Sequence, residues 1–107
     1  MRLYRIDKEV DFPEKVSGKS DLRYANIRSA ERIDVRPGET RQISTKLRVS
    51  FKQDKEKVFV VSYFNSTKYE IISSGEELLV TIENVGDRNI MLFPGTVIAE
   101  MRVEKRG

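Results

Sequence analysis

The sequence predicts an all-β fold, and three of its features carry that prediction. Residues 41–51 alternate between apolar or β-branched side chains and polar ones, which is the period of a strand buried on one face. Residues 58–64 are β-branched or aromatic at almost every position, as in a strand buried on both faces. Turn residues recur at intervals of about 8 to 12 residues in the second half, the spacing of a sandwich or barrel. A chain of 107 residues has the length of one domain, and we expect a single domain over residues 1–107.

The first predicted strand pair lies on either side of Pro37 and Gly38. Residues 33–36 and 41–51 flank this dipeptide, which favours a tight turn because Pro fixes φ and Gly tolerates positive φ. Upstream, residues 21–32 have a weak helical period that Ile27 interrupts, which favours a loop or a short strand.

The second half of the chain is predicted to contain five strands. Residues 58–64 form a central strand, and residues 69–72 form a shorter one. Residues 78–83 alternate in polarity, and residues 84–87 tolerate the positive φ of a reversal. A strand then returns through residues 89–93, Pro94 and Gly95 make a further turn, and residues 96–103 form the last strand.

The composition restricts the chemistry and the partners. The sequence has no Cys and no His, so it lacks the usual thiol nucleophile, the usual general base and the commonest metal ligand. The net charge is +3, and basic and acidic residues are interspersed along the chain instead of forming blocks. Charge alone therefore does not indicate a nucleic acid or a membrane as a partner. No apolar run has the length of a signal peptide core or a transmembrane helix, and we expect an intracellular, cytoplasmic protein.

Common catalytic motifs are absent from the sequence. It contains neither a glycine-rich phosphate loop nor a Gly-x-Ser-x-Gly nucleophile turn. Glu76 and Glu77 are the one adjacent pair of carboxylates. Neighbours on a strand point to opposite faces, so we expect both to be solvated rather than to flank a reacting bond.

Two groups of side chains could bind a ligand but have simpler interpretations. Arg41, Lys46 and Arg48, with the lysines of residues 52–57, could form a basic interaction patch that faces phosphate. Acidic residues interleave them, and a solvated strand edge guarded by lysine is favoured. Four aromatic residues could stack on bases, although core packing is favoured because they lie in the most apolar segment; they are Phe59, Tyr63, Phe64 and Tyr69.

The order of segments resembles the trimeric dUTPases over most of residues 3–103. Residues 33–49 are similar to that family's Pro-Gly-Glu hairpin and the Thr-Gly strand that follows, with Lys46 in place of the glycine. Residues 17–23 resemble its first motif, which carries a metal-associated Asp at the position of Asp21. Residues 80–86 and 93–100 are similar to its later motifs, with matches at Gly95, Ile98 and Ala99. The resemblance implies a compact, distorted jelly-roll-like barrel of β-clip architecture and assembly as a homotrimer.

The positions that carry the family's chemistry differ in this sequence. Residues 62–66 stand where the family has Pro-Arg-Ser-Gly, and residues 70–77 stand where it has a base Asp and a stacking Tyr. Thr96, Val97 and Glu100 depart from its last strand motif, and its glycine-rich C-terminal arm has no counterpart. These departures predict a scaffold without catalysis. We therefore expect a protein that is not an enzyme, with no catalytic residue, no metal ligand and no cofactor.

Three functions follow from the resemblance and its departures. The favoured one is a non-catalytic structural or protein-interaction module, a homotrimer that could be a virus or phage particle component located in the virion, with a virion or capsid protein as partner. The alternative is a nucleotide-binding or sequestering protein with a subunit-interface pocket, in which Lys, Arg and the backbone amides near Ser73, Ser74 and Gly75 hold a phosphate. The resemblance implies Asp21 as a further nucleotide-binding residue. The third is a divergent dUTP pyrophosphatase in which Asp21 and Glu76 or Glu77 position Mg²⁺ and a water.

Overall fold

The computed structural model describes residues 1–17, 22–64 and 69–105. Within these ranges the chain forms strands and no helix, which confirms the all-β prediction. The strands are β1 Arg2–Arg5, β2 Glu14–Ser17, β3 Leu22–Arg28, β4 Ile33–Val35, β5 Thr40–Ser50, β6 Glu56–Ser62, β7 Tyr69–Ile71, β8 Glu77–Glu83, β9 Ile90–Leu92 and β10 Val97–Lys105. The described ranges contain no helix that could cross a bilayer.

The strands pair into three antiparallel sheets. One has three strands in the order β1-β5-β8, one has five in the order β2-β3-β10-β6-β7, and β4 and β9 form the third. β6 lies between β10 and β7, so residues 58–64 supply an internal strand as predicted. β10 is the middle strand of the five, and it pairs with strands from both halves of the chain.

Apolar side chains from all three sheets meet in one core. Leu78, Val80 and Ile82 are fully buried, as the polarity period of β8 predicts. They pack with buried residues of the other strands, which include Ile27, Val35, Ile43, Val49, Val58, Val60, Leu92, Ile98 and Met101. Full burial of each large aliphatic side chain stabilises the fold by about 1.5–3 kcal/mol. The core therefore holds the three sheets together.

The turn at Pro37 and Gly38 forms as predicted, but the strands that it joins do not pair with each other. Gly38 has φ of 82°, and the Glu39 N–H donates to the Arg36 carbonyl at 3.0 Å. β4 pairs with β9, whereas β5 pairs with β1 and β8. The chain thus changes sheet at this turn.

The predicted reversal after β8 is wrong in its geometry. β9 does not return along β8 but pairs with β4, and residues 84–87 have no positive φ. The side chain of Asn84 shapes this connection instead. Its Nδ2 donates to the carbonyls of Val35 at 2.8 Å and Arg88 at 2.7 Å, and its Oδ1 accepts from the Gly86 N–H at 3.0 Å.

Three N-terminal segments are strands, and sequence patterns predicted only one of them. The pattern of residues 21–32 favours a loop or a short strand, and the structure has the seven-residue strand β3 there. β1 and β2 were not predicted, because each has four residues and several charges. Both are edge strands, where short length and charged side chains are typical.

A carboxylate joins the two larger sheets. Glu70 on β7 accepts from the Thr81 N–H at 2.6 Å through Oε1 and from Thr81 Oγ1 at 2.8 Å through Oε2. Thr81 lies on β8, which has β5 on one side only. Glu70 therefore satisfies a backbone donor at the open edge of the three-stranded sheet.

Candidate functional site

A cavity of about 300 Å³ opens beside the middle of β5, and we call it the Lys46 cavity. The β1–β2 loop, the end of β3, the middle of β5 and the β9–β10 turn form its walls. Its lining residues are Asp7, Glu9, Val10, Asp11, Arg28, Ser29, Ala30, Thr45, Lys46, Leu47, Pro94 and Gly95. This volume lies at the small end of the range of ligand pockets, roughly 300–1,000 Å³.

Backbone hydrogen bonds hold three of the four walls together. The Ser29 N–H donates to the Thr96 carbonyl, and the Gly95 N–H donates to the Ser29 carbonyl, both at 2.8 Å. The Ala30 N–H donates to the Ser44 carbonyl at 2.9 Å. The end of β3 is thereby fixed to the β9–β10 turn on one side and to β5 on the other. These three walls are held in place by contacts within the protein.

β5 is distorted where Lys46 lines the cavity. The register with β8 shifts between Ser44 and Arg48, which marks a β-bulge, and Lys46 has φ of 54°. This left-handed conformation costs a residue that has a side chain about 1–2 kcal/mol. It is the conformation that glycine adopts readily, and glycine is the residue that the dUTPase resemblance places at this position.

Glu77 holds the bulge in place. Its Oε2 accepts from Ser44 Oγ at 2.5 Å and from the Lys46 N–H at 3.1 Å. The expected solvation is therefore wrong for Glu77, which is half-buried, whereas Glu76 is exposed. The bulge interrupts the hydrogen-bond ladder between β5 and β8, which leaves the Lys46 N–H without a partner strand. The Glu77 carboxylate accepts the hydrogen bond from this N–H instead.

The β1–β2 loop is fixed by Arg5. Its Nη1 donates to the carbonyls of Lys8 at 3.5 Å and Val10 at 3.4 Å, and its guanidinium lies 4.7 Å from the centre of the Phe12 ring. Asp7 Oδ1 accepts from the Glu9 N–H at 2.9 Å. The backbone of the fourth wall is thus also ordered by protein contacts.

The Lys46 cavity carries charges of both signs. Arg28 Nη1 donates to the Gly95 carbonyl at 2.8 Å, so the guanidinium lies against the β9–β10 turn. Lys46 and Arg28 supply two positive charges, and the loop supplies the three carboxylates of Asp7, Glu9 and Asp11. The lining therefore has a formal charge of −1, from two cations and three anions. The carboxylates would repel a strongly negative ligand unless a cation bound to that ligand neutralised part of its charge.

The predicted phosphate site at residues 73–75 is packed against the end of β5. The Gly75 N–H donates to the Val49 carbonyl at 2.8 Å, and Ser74 Oγ accepts from the Phe51 N–H at 2.9 Å. Ser73 is exposed. The Gly75 N–H is thus already used in a hydrogen bond within the protein. The O–H groups of Ser73 and Ser74 remain able to donate to a phosphate. Asp21 lies outside the described residues, and phosphate binding by these residues stays a prediction.

The three basic residues of the predicted patch lie in different surroundings. Arg41 Nη1 lies 3.6 Å from Glu39 Oε2, and the Arg48 guanidinium lies 5.6 Å from the centre of the Tyr4 ring. Lys46, which lies between these two arginines in the sequence, lines the Lys46 cavity. Arg41 and Arg48 are seven residues apart on one strand, or about 20 Å. Their role as an interaction patch stays a prediction.

The predicted core packing of the aromatic residues is wrong for two of the four. Tyr63 and Tyr69 are 54% and 57% exposed, whereas Phe59 is buried and Phe64 packs against the core. The Phe59 and Tyr69 rings lie 5.2 Å apart, and Lys57 Nζ lies within 5.7 Å of the centre of each. Tyr69 is exposed because β7 is an edge strand.

A resident metal site is not found among the residues that the structure describes. No three acidic side chains within residues 1–17, 22–64 and 69–105 are arranged so that they could hold an ion. Within these ranges the carboxylates therefore form no three-ligand cage for Mg²⁺.

Comparison with known structures identifies the fold. Models of protein families give no match to the sequence, and the curated proteins give none. Solved structures do match. A mutant dUTPase from phage phi11 of S. aureus, described with a structural Mg(II) ion, has a TM-score of 0.80 at 18% identity, over 99% of this chain and 90% of its own. The dUTPase of Staphylococcus bacteriophage 80alpha has a TM-score of 0.77 at 18% identity, over the same shares of both chains. This chain has the dUTPase fold.

The comparison confirms the predicted fold and contradicts the prediction that the chain is not an enzyme. The solved structures that share the fold over 99% of the chain are dUTPases, and dUTPases are enzymes. The prediction rested on motif residues that the sequence lacks. Absent motifs do not exclude a site built from other residues, because a fold and the chemistry that it carries are separable.

Sequence patterns missed most of the cavity. Asp7, Glu9, Asp11 and Arg28 were not predicted, because they lie in segments that only the tertiary structure brings together. One signal did exist: a lysine stands at residue 46 where the resemblance implies a glycine, and the structure gives that residue a positive φ.

Proposed function

We propose that the chain is a nucleoside triphosphate pyrophosphatase with the dUTPase fold, working as a homotrimer. The observation that carries this proposal is the agreement of 99% of the chain with phage dUTPases, at TM-scores up to 0.80. An 80alpha dUTPase of this fold is described with the nucleotide dUpNHpp. The reaction adds water across the α–β phosphoanhydride and yields a nucleoside monophosphate and pyrophosphate.

The base of the substrate is left open in this proposal. The dUTPase motifs for the base and the phosphates have no match at residues 62–66 and 70–77. A deoxynucleoside triphosphate other than dUTP is therefore as compatible with this chain as dUTP itself. Mg²⁺ enters the proposal as the ion that the triphosphate itself carries.

Pyrophosphate release tests the proposal. The purified protein is incubated with each common deoxynucleoside triphosphate, dUTP included, in the presence of Mg²⁺. We expect pyrophosphate from at least one of them, with activity that coelutes with the protein in gel filtration and is lost in EDTA. No release above background from any nucleotide at high protein concentration would contradict the proposal.

A second candidate is a protein-interaction function, and the exposed apolar side chains favour it. They include Tyr4, Ile6, Phe12, Tyr63, Tyr69, Ile71, Val85, Met91 and Phe93. Exposed apolar side chains that lie together in one patch are typical of surfaces that other chains cover. The 80alpha dUTPase is described as controlling the transfer of virulence genes by a G protein-like mechanism. In this chain the exposed apolar side chains would contact the other copies of the homotrimer or a further protein, such as a particle component.

The mass of the protein in solution tests the homotrimer. The chain has a mass of 12.4 kDa, so three copies have a mass of about 37 kDa (3 × 12.4). We expect light scattering after gel filtration to give this value. A mass of one chain at micromolar concentration would contradict the homotrimer and leave the apolar surface for a different partner.

A further inference from the structure

The Lys46 cavity has the features of a phosphate site, and it lies outside residues 62–66 and 70–77, where the dUTPase motifs for the base and the phosphates have no match. We propose that it binds a phosphate group of the nucleotide as its Mg²⁺ complex, between Lys46 and Arg28. This inference rests on the proposed nucleotide substrate and adds the place where the phosphate chain is held.

Arg28 is held in position by one hydrogen bond, and its guanidinium has further N–H groups that can donate to a ligand. A guanidinium has five N–H donors, and one hydrogen bond to the Gly95 carbonyl at 2.8 Å orients it against the β9–β10 turn. That turn is itself tied to β3 through the Gly95 N–H and the Ser29 carbonyl. A planar guanidinium that is fixed in this way suits the oxygens of a phosphate.

Lys46 contributes a second cation, and its backbone is held on both sides. Its N–H donates to Glu77, and its carbonyl accepts from Ile6. Within the described part of the chain, no hydrogen bond or ion pair of its ammonium is found, although three carboxylates line the same cavity. A half-buried lysine without an internal partner is available to an anionic ligand.

The backbone at residue 46 also points to a use for this side chain. A φ of 54° favours glycine, so lysine destabilises the fold there. Residues kept in such strained conformations are concentrated at functional sites. Binding of a phosphate by the ammonium accounts for a lysine at this position.

The acidic residues determine the form of the ligand. The lining has a formal charge of −1, so a free polyphosphate would be repelled. Chelation by Mg²⁺ removes two negative charges from the phosphate chain, and the carboxylates can then face the hydrated ion. We therefore expect binding in Mg²⁺ and much weaker binding in EDTA.

Calorimetry with two probes tests the proposal. The probes are inorganic tripolyphosphate with Mg²⁺ and the nucleotide that gives pyrophosphate or, failing that, each deoxynucleoside triphosphate. Lys46→Asn removes the ammonium but keeps a residue that tolerates positive φ, so the fold is preserved. Lys55→Asn removes the same charge from an exposed turn that does not line the cavity and is the matched control. Circular dichroism verifies that both variants are folded.

The expected result is a loss of affinity for both probes of about tenfold or more in Lys46→Asn, with little change in Lys55→Asn. Arg28→Gln should show a loss of similar size. If the wild-type protein binds a nucleotide and Lys46→Asn binds it equally well, the phosphate site is refuted and the proposed function stands. If tripolyphosphate binds in a Lys46-dependent manner and no nucleotide binds, the site stands and the proposed function is refuted. If neither probe binds, both are refuted.

Discussion

Lys46 is the residue at which the local conformation and the side chain disagree most clearly. Asn26 also has a positive φ, of 62°, but asparagine tolerates this region because its short amide can form local hydrogen bonds. Lysine has no such compensation. The φ of 54° at Lys46 is imposed by the bulge in β5 and by the hydrogen bonds on either side of the residue.

Lys46→Gly should therefore stabilise the fold. Relief of the left-handed strain exceeds the extra freedom that glycine gives to the unfolded chain, and we expect a gain of about 0.5–1 kcal/mol in the free energy of unfolding. Urea denaturation measures it. Asn26→Gly is the matched control and should change the stability by only a few tenths of a kcal/mol. A loss of stability in Lys46→Gly would show that the lysine side chain stabilises the folded chain.

Tyr24 gives the protein an alkaline pH dependence. Burial is the main cause that raises the pKa of the Tyr24 phenol above its usual value of 10.0, and the negative charge of Glu56 is the second. The unfolded chain then loses this proton at lower pH than the folded chain does. The stabilisation is complete below about pH 10 and is lost as the pH rises through the folded pKa. We expect Tyr24→Phe to lose less stability than the wild-type protein between pH 9 and 11 in urea titrations, and an equal loss in both would contradict this assignment.

At the scale of strands, Glu70 is the contact that joins β7 to β8. It accepts two hydrogen bonds from Thr81, and removal of its carboxylate would leave a half-buried N–H without this acceptor. We expect Glu70→Ala to lower the free energy of unfolding by about 1–3 kcal/mol. Glu76→Ala, which removes an exposed carboxylate, should stay within about 0.5 kcal/mol of the wild type. Equal effects of the two substitutions in urea denaturation would refute this role.

Asn84 has a corresponding role between β8 and the β4–β9 sheet. It is 3% exposed, and its amide binds the carbonyls of Val35 and Arg88. Asn84→Ala removes the donor to both carbonyls, and the bond to the Val35 carbonyl is buried, so we expect a loss of about 2–3 kcal/mol. The exposed Asn89 is the control, and Asn89→Ala should change little. Thermal and urea unfolding of both variants measure the difference, and a loss in Asn84→Ala no larger than in Asn89→Ala would contradict the bridging role.

Prediction at the element scale was accurate where one face of a strand is buried. The polarity alternation of β5 and β8 located both strands, because burial on one face imposes a period of two. Strand partners were harder to infer. The turn after β4 and the reversal after β8 both suggested hairpins, yet β4 and β9 pair with each other across more than fifty residues. The buried amide of Asn84 donates to the Val35 carbonyl at the end of β4 and to the Arg88 carbonyl just before β9.

At the scale of the whole molecule, the sheets share one core and should unfold together. Buried residues of β8 in one sheet and β10 in another belong to the same apolar cluster. We expect the slowest-exchanging amides of β8 and β10 to give the same free energy of opening in native-state hydrogen exchange. Such a result would support the prediction of a single domain over residues 1–107. Two clearly different values would show that the sheets open as separate units.

The sequence alone determined the all-β class, the position of the strands with one buried face and the resemblance to the dUTPase fold. Each of these depends on local patterns, namely side-chain period, turn residues and the order of motifs along the chain. The existence and the lining of the Lys46 cavity depend on the tertiary structure and could not be inferred from the sequence. Its walls come from residues 7–11, 28–30, 45–47 and 94–95, which no local pattern connects. Pairing between distant strands and the bulge at Lys46 bring them together, because backbone donors that lose a ladder partner must find another acceptor.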